Sequence, residues 1–238
     1  MTGTAPSSID LRRRLQEVRS RIDAAAQRCK RDSAEVKLLV VSKSHSAETI
    51  KCAIEAGVTD LGENRVQEAD EKISKVGRTA ARWHLIGHLQ SNKARRAVGL
   101  FDVIHSLDSV ELAQRLDRMC AEEGREQLPV LIQMNLAKEA SKSGIDKQEL
   151  TELVETVTRC SHLSLAGLMT VPPFYDDTER VRPVFRALRE LRDELNSQKV
   201  FTAGPGELSM GMTNDFPVAI EEGATIVRIG TAIFGERN

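Results

Sequence analysis

The sequence predicts an α/β chain folded as a single (β/α)8 barrel, on three observations. Short apolar runs alternate with helical stretches about eight times, which implies parallel strands joined by right-handed crossovers. Those units occupy about 200 residues, a usual size for such a barrel. No repeat, linker or low-complexity segment divides the 238 residues, so 1–238 reads as one domain. The rival is an open doubly wound sheet, which usually carries a GxGxxG turn after its first strand. Here that turn reads SKSHSAET, without a glycine, which favours the barrel.

The elements follow in order. Residues 10–30 place Leu11, Leu15, Val18, Ile22 and Ala25 at helical spacing among arginines, an amphipathic helix ahead of the first strand. The first strand is 37–41, whose four residues Leu38 to Val41 form a continuous apolar run, as a buried strand does. A helix at 47–56 comes next, then strand 59–61 and helix 66–75. Strand 83–86 leads to helix 91–98, and strand 102–104 to helix 110–122. Strand 130–134 precedes helix 147–159, and strand 165–168 precedes helix 178–196. Strand 207–209 precedes helix 215–222, and strand 226–229 ends the series before a short helical turn.

Composition removes several classes of function. The net charge of −1 leaves no basic footprint for nucleic acid, and 3% aromatics leave little to stack bases on. Cys29, Cys52, Cys120 and Cys160 are scattered with no CxxC pair, so neither a zinc site nor a disulfide framework is expected. Reduced thiols suit a cytoplasmic protein. The start MTGTAPSSID has no basic segment before an apolar core, so no leader is expected. No apolar run approaches the roughly 18 residues of a membrane span.

Chemistry in a parallel barrel gathers at the C-terminal ends of the strands. Those ends carry Lys43, Asn64 in LGENRVQE, IGHLQSNK, Met169 in GLMT, Ser209 in LSMGMTND, and VRIGTAIFG. Ser209 and Gly211 precede a helix that Asn214 or Asp215 could cap, and Gly230 and Thr231 precede another helical turn. Each glycine turn alone reads as a tight turn. Together, opposite a lysine, they also read as a phosphate site of backbone N–H groups, a recurrent feature after strands seven and eight of barrels. Lys43 is then either a surface or ion-paired lysine, or a half-buried amine of lowered pKa able to bond an aldehyde. An aldehyde plus a phosphate describes pyridoxal phosphate. His84 and His88 stand four apart at a strand end, which does not make a metal pair; no metal site is expected. Lys93, Arg95 and Arg96 read as a solvated helix face, and Asp176 and Asp177 as helix caps.

VVSK, GENRVQE, WHLIGHLQSNK, GLMT, LSMGM and VRIGTAIFG, in this order over nearly the whole chain, resemble the pyridoxal phosphate homeostasis proteins, the YggS/PROSC family. The resemblance implies a one-domain barrel similar to the N-terminal domain of alanine racemase. It implies binding of pyridoxal 5′-phosphate (PLP), a monomer, management of the cofactor supply without established catalysis, and PLP-dependent apoenzymes as candidate partners. It also implies roles for single residues. Lys43 matches the Schiff-base lysine and Asn64 a neighbour of the ring. Ser209 with the following backbone at Met210, and Gly230–Thr231, match the phosphate cradle. Arg228 matches the arginine facing the pyridine nitrogen, and Met169 belongs to the same cofactor-binding set. Two departures are visible: SHSAE where the family often has a proline, and Thr213 where it often has serine.

An amino-acid racemase is the competing function. Arginine only donates hydrogen bonds, so Arg228 would keep the ring nitrogen unprotonated and weaken the ring as an electron sink. That argues against transamination, though not against racemisation. Racemisation needs a second base, and the only tyrosine is Tyr175, in VPPFYDD. A scaffold using the arginine-rich first helix is a third alternative.

Overall fold

From Lys37 onward the chain repeats one physical solution: a strand too apolar to face water, then a helix whose apolar stripe covers it. The computed structural model describes residues 7–137 and 143–235. Residues 1–6, part of the stretch read as carrying no leader, lie outside the described residues, as do 138–142 and 236–238. The strands are β1 (Lys37–Val41), β2 (Asp60–Glu63), β3 (Arg82–Leu85), β4 (Val103–Leu107), β5 (Leu128–Met134), β6 (Leu163–Thr170), β7 (Glu207–Ser209) and β8 (Ile226–Ile229). All pair in parallel in sequence order, and β8 returns to β1, closing the expected eight-stranded barrel. The helices are α1 (Ser8–Arg28), α2 (Ala47–Glu55), α3 (Val66–Val76), α4 (Ala94–Leu100), α5 (Val110–Glu122), α6 (Lys147–Arg159), α7 (Arg182–Ser197), α8 (Phe216–Glu221) and α9 (Thr231–Phe234).

The extra helix α1 has a packing reason. The helix after β8 is only four residues long and cannot cover its share of the barrel. α1 fills that sector, packing on α2, α8 and α9. Ser7 caps it by accepting the Asp10 amide. Leu11, Leu15, Val18 and Ile22 are buried along one face, each contributing about 1.5–3 kcal/mol.

Two helices differ from the sequence expectation. The one expected at 91–98 opens as a 3-10 turn at Ser91–Lys93, and α4 runs on to Leu100, which is buried. The one expected at 178–196 is split. A 3-10 turn at Thr178–Val181, capped by Asp177, precedes α7. Pro183 has no N–H to give a preceding turn, so it suits the first turn of a new helix.

Most of the core lies between sheet and helices, around Val40, Leu61, Trp83, Leu85 and Ile104. A separate small cluster, Val103, Leu131 and Met169, sits apart from it. His84, His105, Ser209 and Arg228 are buried polar exceptions. Among the described residues no helix is long and apolar enough to cross a membrane.

Candidate functional site

A cavity of about 520 Å³ opens at the C-terminal end of the barrel. The structure brings five of the sequence-predicted residues to its wall: Lys43, Asn64, Arg228, Gly230 and Thr231. Ser209, Met210 and Met169 do not line it and are fully buried. Met210 belongs to the main core, Met169 to the small cluster with Val103 and Leu131.

Arg228 connects the cavity to the barrel interior. Its Nη2 donates to the Thr170 carbonyl and its Nη1 to Ser209 Oγ, both at 2.8 Å. Ser209 Oγ lies 2.9 Å from His105 Nδ1, and His105 Nε2 lies 2.9 Å from His84 Nδ1. His84 Nε2 is 3.0 Å from Asp60 Oδ1. Strands β4 and β7 are not neighbours, so the His105–Ser209 bond spans the barrel lumen. The two ends of this chain set its direction. A guanidinium can only donate and a carboxylate can only accept. With one proton per imidazole, Arg228 donates to Ser209, Ser209 to His105, His105 to His84, and His84 to Asp60; the tautomers follow from this network. Burial pushes the pKa of His105 well down, and burial lowers His84 against the pull of Asp60. Both rings are thus held neutral. Burial opposes ionisation of Asp60, but its bonds to His84 and Thr59 outweigh that and hold it below the usual carboxylate range.

Arg228 is fully buried, and burial lowers its pKa to about 10, partly offset by Asp215. It still carries its charge at neutral pH. Asp215 also lines the cavity, and burial raises its pKa against the Met212 amide and Arg228. The expectation that Asn214 or Asp215 caps the next helix resolves differently. Asp215 Oδ1 accepts the Met212 amide at 2.6 Å and makes no side-chain cap on α8. It thereby folds the turn that lays Met212, Thr213 and Asn214 along the wall. Asn64 Oδ1 is buried with no hydrogen-bond partner among the described residues. Gly230 is needed for close approach: a Cβ there would lie 3.0 Å from the Val41 carbonyl oxygen. The amides of Ile233 and Phe234 turn back on the Gly230 carbonyl. The amides before them, at the start of α9, have no intrahelical acceptor.

Sequence reasoning missed His45, Phe174 and Asp215 in the cavity wall. His45 stacks on Phe234, with ring centroids 4.3 Å apart. It also missed His105, although a histidine inside the apolar run VIHSL was a visible signal. The other singled-out groups lie elsewhere. His88 pairs with Asp108 at 3.1 Å, Arg95 with Glu122 and Glu123, and Arg96 with Asp70.

A barrel of this topology with its polar cavity at the strand ends has a defined class. The profile of the alanine racemase N-terminal domain matches residues 14–238, and the chain is a barrel of that class. The alanine racemase of Corynebacterium glutamicum shares the fold at 16% identity and a TM-score of 0.65, over 94% of this chain and 61% of that one. The curated pyridoxal phosphate homeostasis protein of Aquifex aeolicus is 44% identical over 94% of this chain and 97% of its own length. That of Escherichia coli is 43% identical over 96% and 97%. PipY of Synechococcus elongatus, solved with PLP bound, superposes with a TM-score of 0.82 at 37% identity, covering 94% of this chain and 100% of PipY. The chain belongs to the pyridoxal phosphate homeostasis protein family.

Proposed function

We propose that this chain binds pyridoxal 5′-phosphate in the barrel-mouth cavity and serves the cell's handling of that cofactor, not an enzymatic reaction. One observation carries the proposal: a lysine, a buried arginine and an open helix start converge on one cavity of suitable size. The residues fit the group. Asn64 Oδ1 is a buried acceptor without a partner among the described residues, and the lack of a side chain at Gly230 lets its backbone lie against the Val41 carbonyl at the cavity wall. When bound, the cofactor supplies an aldehyde and a phosphate dianion. Lys43 would offer the amine to the aldehyde carbon. The phosphate would be held by backbone N–H groups at Thr231, with Thr213 and Asn214 beside it in the cavity wall. Arg228, held by Ser209 and the Thr170 carbonyl, would set a positive charge beside the ring nitrogen and disfavour its protonation. Ser209 serves this site from behind, since its hydroxyl is taken by Arg228 and His105.

The same reading makes the protein a cytoplasmic monomer of one domain that hands cofactor to PLP-dependent apoenzymes. Racemisation is disfavoured because the one tyrosine the sequence offers as a second base is misplaced. Tyr175 is outside the cavity wall, its ring covered by Arg180 at 4.2 Å.

The test is the visible spectrum of the purified protein with added PLP, before and after borohydride reduction. Reduction should fix the cofactor to the peptide carrying Lys43, and Lys43→Ala should abolish both band and adduct. Unphosphorylated pyridoxal should bind at least about a hundredfold more weakly, since charge-assisted hydrogen bonds contribute roughly 1.5–3 kcal/mol each. An unchanged spectrum in Lys43→Ala, or equal affinity for the two compounds, would sink the assignment.

A further inference from the structure

The turn that carries Lys43 is gripped by a buried charge cluster from the next strand–helix unit. Lys72, on α3, lies with Nζ 2.7 Å from Glu63 Oε1, 2.6 Å from Glu68 Oε1 and 2.7 Å from the Ser42 carbonyl oxygen. An ammonium has three N–H donors, and all three are used. Glu63, the last residue of β2, is fully buried and also accepts the Ser42 hydroxyl at 2.6 Å. Glu68 also accepts the amide of Ser44. The residue before Lys43 and the residue after it are each held by one carboxylate, and one ammonium joins the two carboxylates. Ser44 sits at φ 66°, a left-handed conformation that a residue other than glycine keeps only where its surroundings hold it. The bond from its amide to Glu68 is such a hold. Glu68 reaches both Lys72 and Ser44 because it stands one helical turn before Lys72 on α3.

We infer that Glu68 and Lys72 are positioning residues for Lys43. They fix the turn at 42–44 so that the Lys43 amine is presented to a carbonyl in the cavity. The inference rests on the proposed role of Lys43. A group that merely supports the fold would affect every ligand of the cavity alike. A group that aims Lys43 affects only ligands able to bond to it.

The test therefore compares pyridoxal 5′-phosphate with pyridoxine 5′-phosphate, which has an alcohol in place of the aldehyde. Dissociation constants are measured for wild type, Glu68→Ala and Glu68→Gln. Glu68→Ala removes the acceptor of the Ser44 amide and leaves the Glu63–Lys72 pair in place. Its side chain is 26% exposed, so the fold should tolerate the change. Affinity for pyridoxal 5′-phosphate should fall by about tenfold, the scale of one charge-assisted hydrogen bond. Affinity for pyridoxine 5′-phosphate should stay within about twofold, since no bond to Lys43 is involved. Glu68→Gln keeps an oxygen for the Ser44 amide and should restore most of the loss. Glu68→Asp keeps the charge but is one methylene short, and should reproduce the selective loss if Glu68→Ala does not fold. Equal weakening of both ligands, or no change in either, overturns the inference. A wild type with no preference for the aldehyde overturns the proposed role of Lys43 instead, and this inference with it.

Discussion

Replacing Lys72 by methionine keeps the unbranched apolar stem of the side chain and deletes the terminal ammonium. Glu63 is then left fully buried, with the Ser42 hydroxyl as its remaining partner, and Glu68 loses its i,i+4 counter-charge. Removing one partner of a buried ion pair costs about 3–5 kcal/mol, because the other charge stays desolvated. For a chain of this length that is a fall in melting temperature of roughly 6–20 °C. The pH dependence carries the sharper signature. Burial already raises the pKa of Glu63 with Lys72 in place, and without Lys72 it rises further. A carboxyl raised in the folded state is no burden below its unfolded pKa of about 4.3. It destabilises progressively as pH rises through the folded value. The gap between Lys72→Met and wild type should thus be smaller near pH 5 than near pH 8, and Glu63→Gln in the same chain should close most of it. Equilibrium urea unfolding at both pH values measures this. A gap under about 1 kcal/mol, below the usual range for such a pair, or one independent of pH, would refute the account of the cluster.

Gly230→Ala should weaken phosphate-dependent binding by about tenfold or more. The added methyl meets the Val41 backbone and forces the turn to shift, at about 1–3 kcal/mol of overpacking; unchanged binding with a lowered melting point would place the anion elsewhere. Wild-type stability should fall as pH drops below about 6.5, the unfolded histidine value. Both His84 and His105 have lowered folded pKa values, so their stabilising effect is full above that point and is lost as pH falls; a profile flat from pH 7 to 5.5 would mean that the pair is charged in the folded protein. A racemase assay with several L-amino acids on PLP-loaded protein should show no enzymatic turnover; robust turnover that vanished in Tyr175→Phe would make this chain a one-domain racemase.

Much of the architecture was legible in the sequence because it depends on local periodicity. Apolar runs of strand length, the stripe Leu11–Leu15–Val18–Ile22, and glycines before helix starts are set by each segment's own side chains. Lys43 could be read the same way, since a cation ending an apolar strand stands at the mouth of any parallel barrel. Partners across the lumen could not. Ser209 is implied as a phosphate ligand by the family resemblance, yet barrel closure faces β7 with β4, and its hydroxyl turns to His105 and Arg228. His84 and His88 stand four residues apart, but the first points into the barrel toward His105 and the second pairs with Asp108. Glu63, Glu68 and Lys72 sit in an ordinary strand-to-helix sequence, and only the placing of α3 beside the β1 turn brings them to Ser42 and Ser44. Side chains on a strand point alternately inward and outward, so which groups meet depends on register and closure. Those are properties of eight strands together, and no single stretch of the chain contains them.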